Sequence, residues 1–151
     1  PERILRVEGK DPQEVYRQMA ARIAEGNPDI SATVLFDQVI EKESTAASTL
    51  GHGVALPHAK LDRLTRTVCA VALVPDGLEL GGEEEPVRLV FMLASPPDKP
   101  EMHLAVLGEI GHLCAVPAIR EQLVGETDPE RVLPLIRRYR RQHTPFADAR
   151  G

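Results

Sequence analysis

Val87-Arg88-Leu89-Val90-Phe91-Met92-Leu93-Ala94 is a nearly unbroken apolar run with the length and β-branched content of a strand buried on both faces. It falls well short of the ~18 apolar residues that a membrane span needs. Thr67 to Val74 has the same character, and Gly81-Gly82 with Glu83 to Glu85 forms a polar connection between the two. Two central strands are therefore expected.

Helical signals surround them. Asp11-Pro12-Gln13-Glu14 offers a capping carboxylate, a proline at the first helical position and an acidic third position, followed by the stripe Val15, Met19, Ile23. Gly26-Asn27-Pro28 stops that helix. Ser31 caps a second one to about Lys42, with Leu35, Phe36, Val39 and Ile40 facing inward. Residues 44 to 53, small, polar and glycine-bearing, read as a loop, and Val54-Ala55-Leu56 is a short apolar run ended by Pro57, which sets His58 at the mouth of a strand. The rigid Pro96 to Pro100 loop leads into a helix over Glu101 to Ala115, Pro117 starts a short helix and Asp128-Pro129 opens the last. Helices on both sides of a sheet imply a single-domain α/β/α sandwich with a mixed, parallel and antiparallel, central sheet.

Composition narrows the function. At 151 residues the chain has room for one domain with a self-sufficient core. With 18 basic against 23 acidic residues and 3% aromatics it offers neither a field nor a stacking platform for nucleic acid. Cys69 and Cys114 lie in apolar segments without metal-type spacing and read as buried thiols of a reducing compartment. No stretch is long enough to span a membrane and no signal-peptide pattern opens the chain. A cytoplasmic protein is expected. The start at Pro1 rather than Met is compatible with a piece of a longer protein, including the cytoplasmic domain of a membrane protein. The tail from Gln142 to Gly151 reads as flexible, and Arg137, Arg138, Arg140 and Arg141 as a cluster complementing the carbonyl end of the last helix.

The chemistry lies with the histidines. At ~100° per residue, Leu107, Ile110 and Cys114 fall within about 40° of His103, and His112 lies about 180° away. His103 is thus expected on the buried face, in the helix's first turn, where free N–H groups and the positive dipole end favour an anion. His112 is expected in solvent. Such helix starts gather at strand ends, where His58 projects, so two imidazoles and a set of amide donors could meet one phosphate-sized anion. Gly51 and Gly53 would let the loop approach a ligand closely, and Pro57 would hold the backbone before His58. A plain turn with a capping histidine accounts for the same residues equally well.

Gly51-His52-Gly53-Val54-Ala55-Leu56-Pro57-His58 resembles the G-x-G-[IV]-A-[IVL]-P-H signature of the enzyme IIA domains of the fructose–mannitol and nitrogen-regulatory type in the bacterial phosphotransferase system. Lys42-Glu43, Ser48 and Thr49, the Val87 to Ala94 strand and Met102-His103-Leu104 follow in the order of that family. The resemblance implies a IIA domain over about residues 1 to 141, with His58 accepting a phosphoryl group on Nε2 from an HPr-like carrier and passing it to a IIB-type acceptor or a regulatory target. It implies His103 as the group that stabilises the phosphoryl, and a phosphoryl-binding loop of Ser48, Thr49, Gly51, His52 and Gly53. No cofactor and no metal are implied, and a homodimer stays open. Lys42 stands where the family has arginine, a point charge in place of a bidentate fork, and His52 where the nitrogen-regulatory branch has asparagine. Two other readings compete: a non-transferring regulatory module of a larger protein, and a zinc site of His52, His58 and His103.

Overall fold

In a computed structural model that describes residues 3–45, 48–80 and 85–143, the two apolar runs form β5 (Val68–Leu78) and β6 (Val87–Ser95), paired antiparallel. Alternate side chains point to opposite faces of a strand, and this divides the core in two. On one side Ala70, Ala72, Val74, Val90, Met92 and Ala94 meet Val15, Met19 and Ile23 of α1 (Pro12–Glu25) and Leu35 and Val39 of α2 (Ala32–Thr45). On the other, Val71, Leu73, Leu89, Phe91 and Leu93 meet α3 (Pro100–Ala115), α4 (Pro117–Val124) and α5 (Val132–His143) through Ile110, Leu113, Leu123, Val132 and Tyr139. Each large side chain so buried contributes about 1.5–3 kcal/mol, and the sheet collects this on both faces. The expected sandwich is present.

The sheet is mixed. Its order is β1-β5-β6-β3-β2, with β4 also paired to β6. β1 (Ile4–Arg6) runs parallel to β5, while β3 (Val54–Ala55) and β4 (His58–Lys60) run parallel to β6. β3 and β4 lie in one line along β6, interrupted at Leu56-Pro57 where the proline has no N–H to give. The Pro57 carbonyl still accepts from Leu93 N at 3.0 Å.

Local signals account for most helix ends. Asp11 accepts from Gln13 N at 3.0 Å and Ser31 from Val34 N at 3.3 Å, the side-chain caps expected of those residues. Three boundaries differ from the sequence reading. Residues 44 to 53 are not all loop: α2 continues through Thr45, and Thr49–Gly51 form β2, an edge strand antiparallel to β3. Of its residues only Thr49 favours a strand, and pairing with β3 supplies what propensity does not. The last helix opens with a separate 3-10 turn, Pro129–Arg131, and β1 carries too short an apolar pattern to be read locally. Most of the polar connection at 81–84, and 144–151 of the tail, lie outside the described residues. Among the described residues no single helix is long and apolar enough to cross a membrane; α3 and α4 together have the length and composition but bend by 96°.

Candidate functional site

Strand alternation decides which groups meet. His58 and Lys60, two apart on β4, share a face with their β6 partners Leu93 and Ser95. One further step of the β5–β6 register places Thr67 opposite Ser95. The turn after Ser95 brings the first turn of α3 back over these strand ends, and with it His103, which is 7% exposed. The His58 and His103 rings lie with centroids 5.2 Å apart, tilted by 52°.

His58 is held by its own backbone. Its Nδ1 lies 2.9 Å from the Leu56 carbonyl oxygen. A carbonyl can only accept, so Nδ1 carries the ring proton and donates it, which leaves the lone pair on Nε2. Pro57 stiffens the two-residue link, and the residue is half-buried rather than sealed in the core. His103 is held differently: its Nδ1 lies 2.6 Å from Ser95 Oγ, which also accepts from Thr67 Oγ1 at 3.1 Å. Burial above all, then the neighbouring His58, Lys60 and Lys42, keeps the His103 pKa below its ordinary 6.5. The ring is neutral at physiological pH.

Lys42, exposed in the last turn of α2, is close enough for its charge to be felt at His103. The next residue, Glu43, accepts from Ser48 N at 2.9 Å and from the Tyr16 hydroxyl at 3.5 Å. Burial, then the Glu43 charge and hydrogen bond, pushes the Tyr16 phenol up, so it stays a donor. Ser48 in turn accepts from Leu56 N at 2.7 Å, and Thr49 pairs with Ala55. Ser48 and Thr49 therefore run beside the segment that delivers His58.

Gly51, His52 and Gly53 do not. Val54 pairs with Leu89 and His58 with Leu93, which separates the two levels by about 13 Å along the strand. The glycine turn lies further out still. There His52 borders a cavity of about 390 Å³ with Arg88, Arg120, Val124, Gly125 and Thr127. The expected close approach of this turn to a phosphoryl group is corrected: its positive φ angles, 77°, 55° and 83° at Gly51, His52 and Gly53, serve the reversal between β2 and β3. A zinc site of His52, His58 and His103 goes with it, because His52 lies away from the other two and no group of three such ligands occurs among the described residues.

His112 is exposed on α3, as its helical angle requires. Burial raises the Cys69 and Cys114 thiols to about 12 and 11, so both stay protonated. Arg140 pairs with Glu109 at 2.6 Å, while Arg137, Arg138 and Arg141 are exposed. Sequence reasoning does not single out Lys60, Ser95 or Thr67. The signals were period-two spacing from His58 for Lys60 and a hydroxyl closing an apolar run for Ser95.

The arrangement is an α/β domain that presents a fixed imidazole lone pair at its strand ends beside a second, neutral imidazole. The chain matches the family described as "Phosphoenolpyruvate-dependent sugar phosphotransferase system, EIIA 2" over residues 2–139, and it belongs to that family. The nitrogen regulatory protein of Pseudomonas aeruginosa is 24% identical over 88% of this chain and 87% of its own length. The fructose-specific EIIABC component of Bacillus subtilis is 24% identical over 89% of this chain, which spans only 21% of that protein. Among solved structures, the nitrogen regulatory protein IIA-Ntr of Neisseria meningitidis superposes with a TM-score of 0.79 at 22% identity, covering 89% of this chain and 93% of that one. The mannitol IIA of Escherichia coli, in complex with phosphorylated mannitol IIB, gives 0.73 at 22% identity, covering 89% and 94%. These likenesses show the same fold.

Proposed function

We propose that this chain carries phosphoryl groups on Nε2 of His58, taking them from the phosphohistidine of an HPr-like protein and handing them to a IIB-type acceptor or a regulatory target. The observation that carries this reading is the Nδ1–H to Leu56 carbonyl bond, which bares one nucleophilic nitrogen and keeps it bare. In the transfer, the Nε2 lone pair forms the new N–P bond while the donor's N–P bond breaks and its electron pair stays with the departing imidazole. His58 keeps its Nδ1 proton and becomes a phosphoimidazolium; the donor ring, until then in that state, leaves neutral. No proton is consumed.

Such a step asks mainly for positioning and charge stabilisation. His103 can donate to a phosphoryl oxygen, Lys42 and Lys60 supply positive charge, and the N-terminus of α3 adds its dipole. Both histidines come from one chain, so the site needs no second copy. Donor and acceptor of this kind are cytoplasmic, which supports a cytoplasmic location for the chain. Incubation with phosphorylated HPr tests the reading: an acid-labile phosphate on the wild type that is absent from His58→Ala supports it, and no label on either would leave the regulatory-module reading in its place.

A further inference from the structure

Ser95 ends β6 fully buried, at 0% exposure, and its hydroxyl sits between Thr67 Oγ1 at 3.1 Å and His103 Nδ1 at 2.6 Å. A hydroxyl has one proton to give and two lone pairs to receive with. With Thr67 donating into one lone pair of Ser95 Oγ, the Ser95 proton is free to turn to His103 Nδ1. A neutral imidazole that accepts at Nδ1 holds its single proton on Nε2.

The geometry points to Thr67 and Ser95 as positioning residues, a hydroxyl relay that fixes His103 as its Nε2–H tautomer and so aims a donor, not a lone pair, at a phosphoryl group on His58. The purpose of the relay rests on the phosphoryl-carrier reading; its existence rests on the two contacts, with Ser95 Oγ taken as the donor to His103 Nδ1. The two histidines are then set in opposite senses. His58 donates through Nδ1 and bares a lone pair, whereas His103 accepts at Nδ1 and bares a proton. Reversing His103 would turn a lone pair toward the phosphoryl oxygens and replace an attraction by a repulsion at the point where charge is held. The placement follows from register: Ser95 shares its face with Leu93 and Phe91, the face covered by α3, and Thr67 is its cross-strand neighbour on that face.

Long-range 1H–15N spectra of the imidazoles in the unphosphorylated full chain read the tautomer directly. The wild type should show His103 protonated on Nε2. Ser95→Ala, which removes the hydroxyl without adding bulk, should shift His103 toward Nδ1–H and slow transfer from phosphorylated HPr about 10-fold, the low end of the loss that follows when a metal-ligating histidine is stripped of its outer hydrogen-bond partner. Ser95→Thr, which retains the hydroxyl, should keep the tautomer, and Thr67→Val should shift it less than Ser95→Ala does. A wild-type His103 protonated on Nδ1, or a Ser95→Ala spectrum unchanged from wild type, overturns the relay. If wild-type protein takes no phosphoryl group, the functional reading falls, and the spectra still decide the relay.

Discussion

The two ends of the Gly51–His58 segment make a controlled comparison. Each carries a histidine, and six positions of one segment separate them, yet only His58 lies beside a second imidazole. At the His58 end a carbonyl fixes the ring and a helix start covers it. At the His52 end the residue itself is in a left-handed conformation, exposed, at the tip of a reversal whose glycines take the same unusual φ. A motif that reads as one unit is thus two devices joined by a strand: a turn between β2 and β3 and an imidazole held with its Nε2 lone pair free of the proton.

Replacing each histidine should separate these devices most sharply. His58→Ala should reduce phosphate incorporation from phosphorylated HPr to background, while His52→Ala should stay within about 2-fold of wild type, as expected for a distant, independent site. Comparable loss in both, measured as acid-labile label, would break the comparison. The turn should show its value in stability. Gly53→Ala places a Cβ 3.3 Å from both the Pro86 carbonyl oxygen and Val124 Cγ1 in a backbone with φ of 83°, and should cost about 1–3 kcal/mol in urea unfolding. Gly51→Ala has the positive φ but nothing within 4 Å, and should cost less.

Charge gives smaller effects. Lys42→Gln and Lys60→Gln should each slow transfer roughly 2- to 5-fold at low salt and converge with wild type as salt rises; neither effect is expected at the His52 end. The same variants should raise the His103 pKa in an NMR titration, because both lysines disfavour its charged form. The smallest effect is on stability against pH. The folded His103 pKa lies below the unfolded value of about 6.5, so the unfolded chain binds more protons as pH falls. The contribution is fully present above 6.5 and is lost as pH falls through the folded value. Wild type should therefore lose more stability between pH 7.5 and 5 than His103→Gln, and equal slopes would show that the fold does not disfavour the charged ring.

Much of this was legible in the chain. The β5 and β6 runs, the Asp11 cap and the angular position of His103 are local patterns with direct physical causes, and each fixes an element or a face. β1, β2 and β4 are three residues each and owe their existence to partners distant in sequence, which no window over Ile4–Arg6 or Thr49–Gly51 contains. His52 was misplaced for a related reason: nearness in sequence is nearness in space on a helix, but along a strand each residue adds about 3.3 Å. Ser95 and Thr67 are ordinary strand-end residues until the register sets them side by side under His103.

The bond from His58 Nδ1 to Leu56 has one more consequence. A ring anchored on one nitrogen leaves a single doorway to the other, so whatever delivers the cargo and whatever collects it must come through the same opening. Giver and taker then cannot be seated together. On the proposed function the chain would serve them by turns, and an excess of either one should shut the other out.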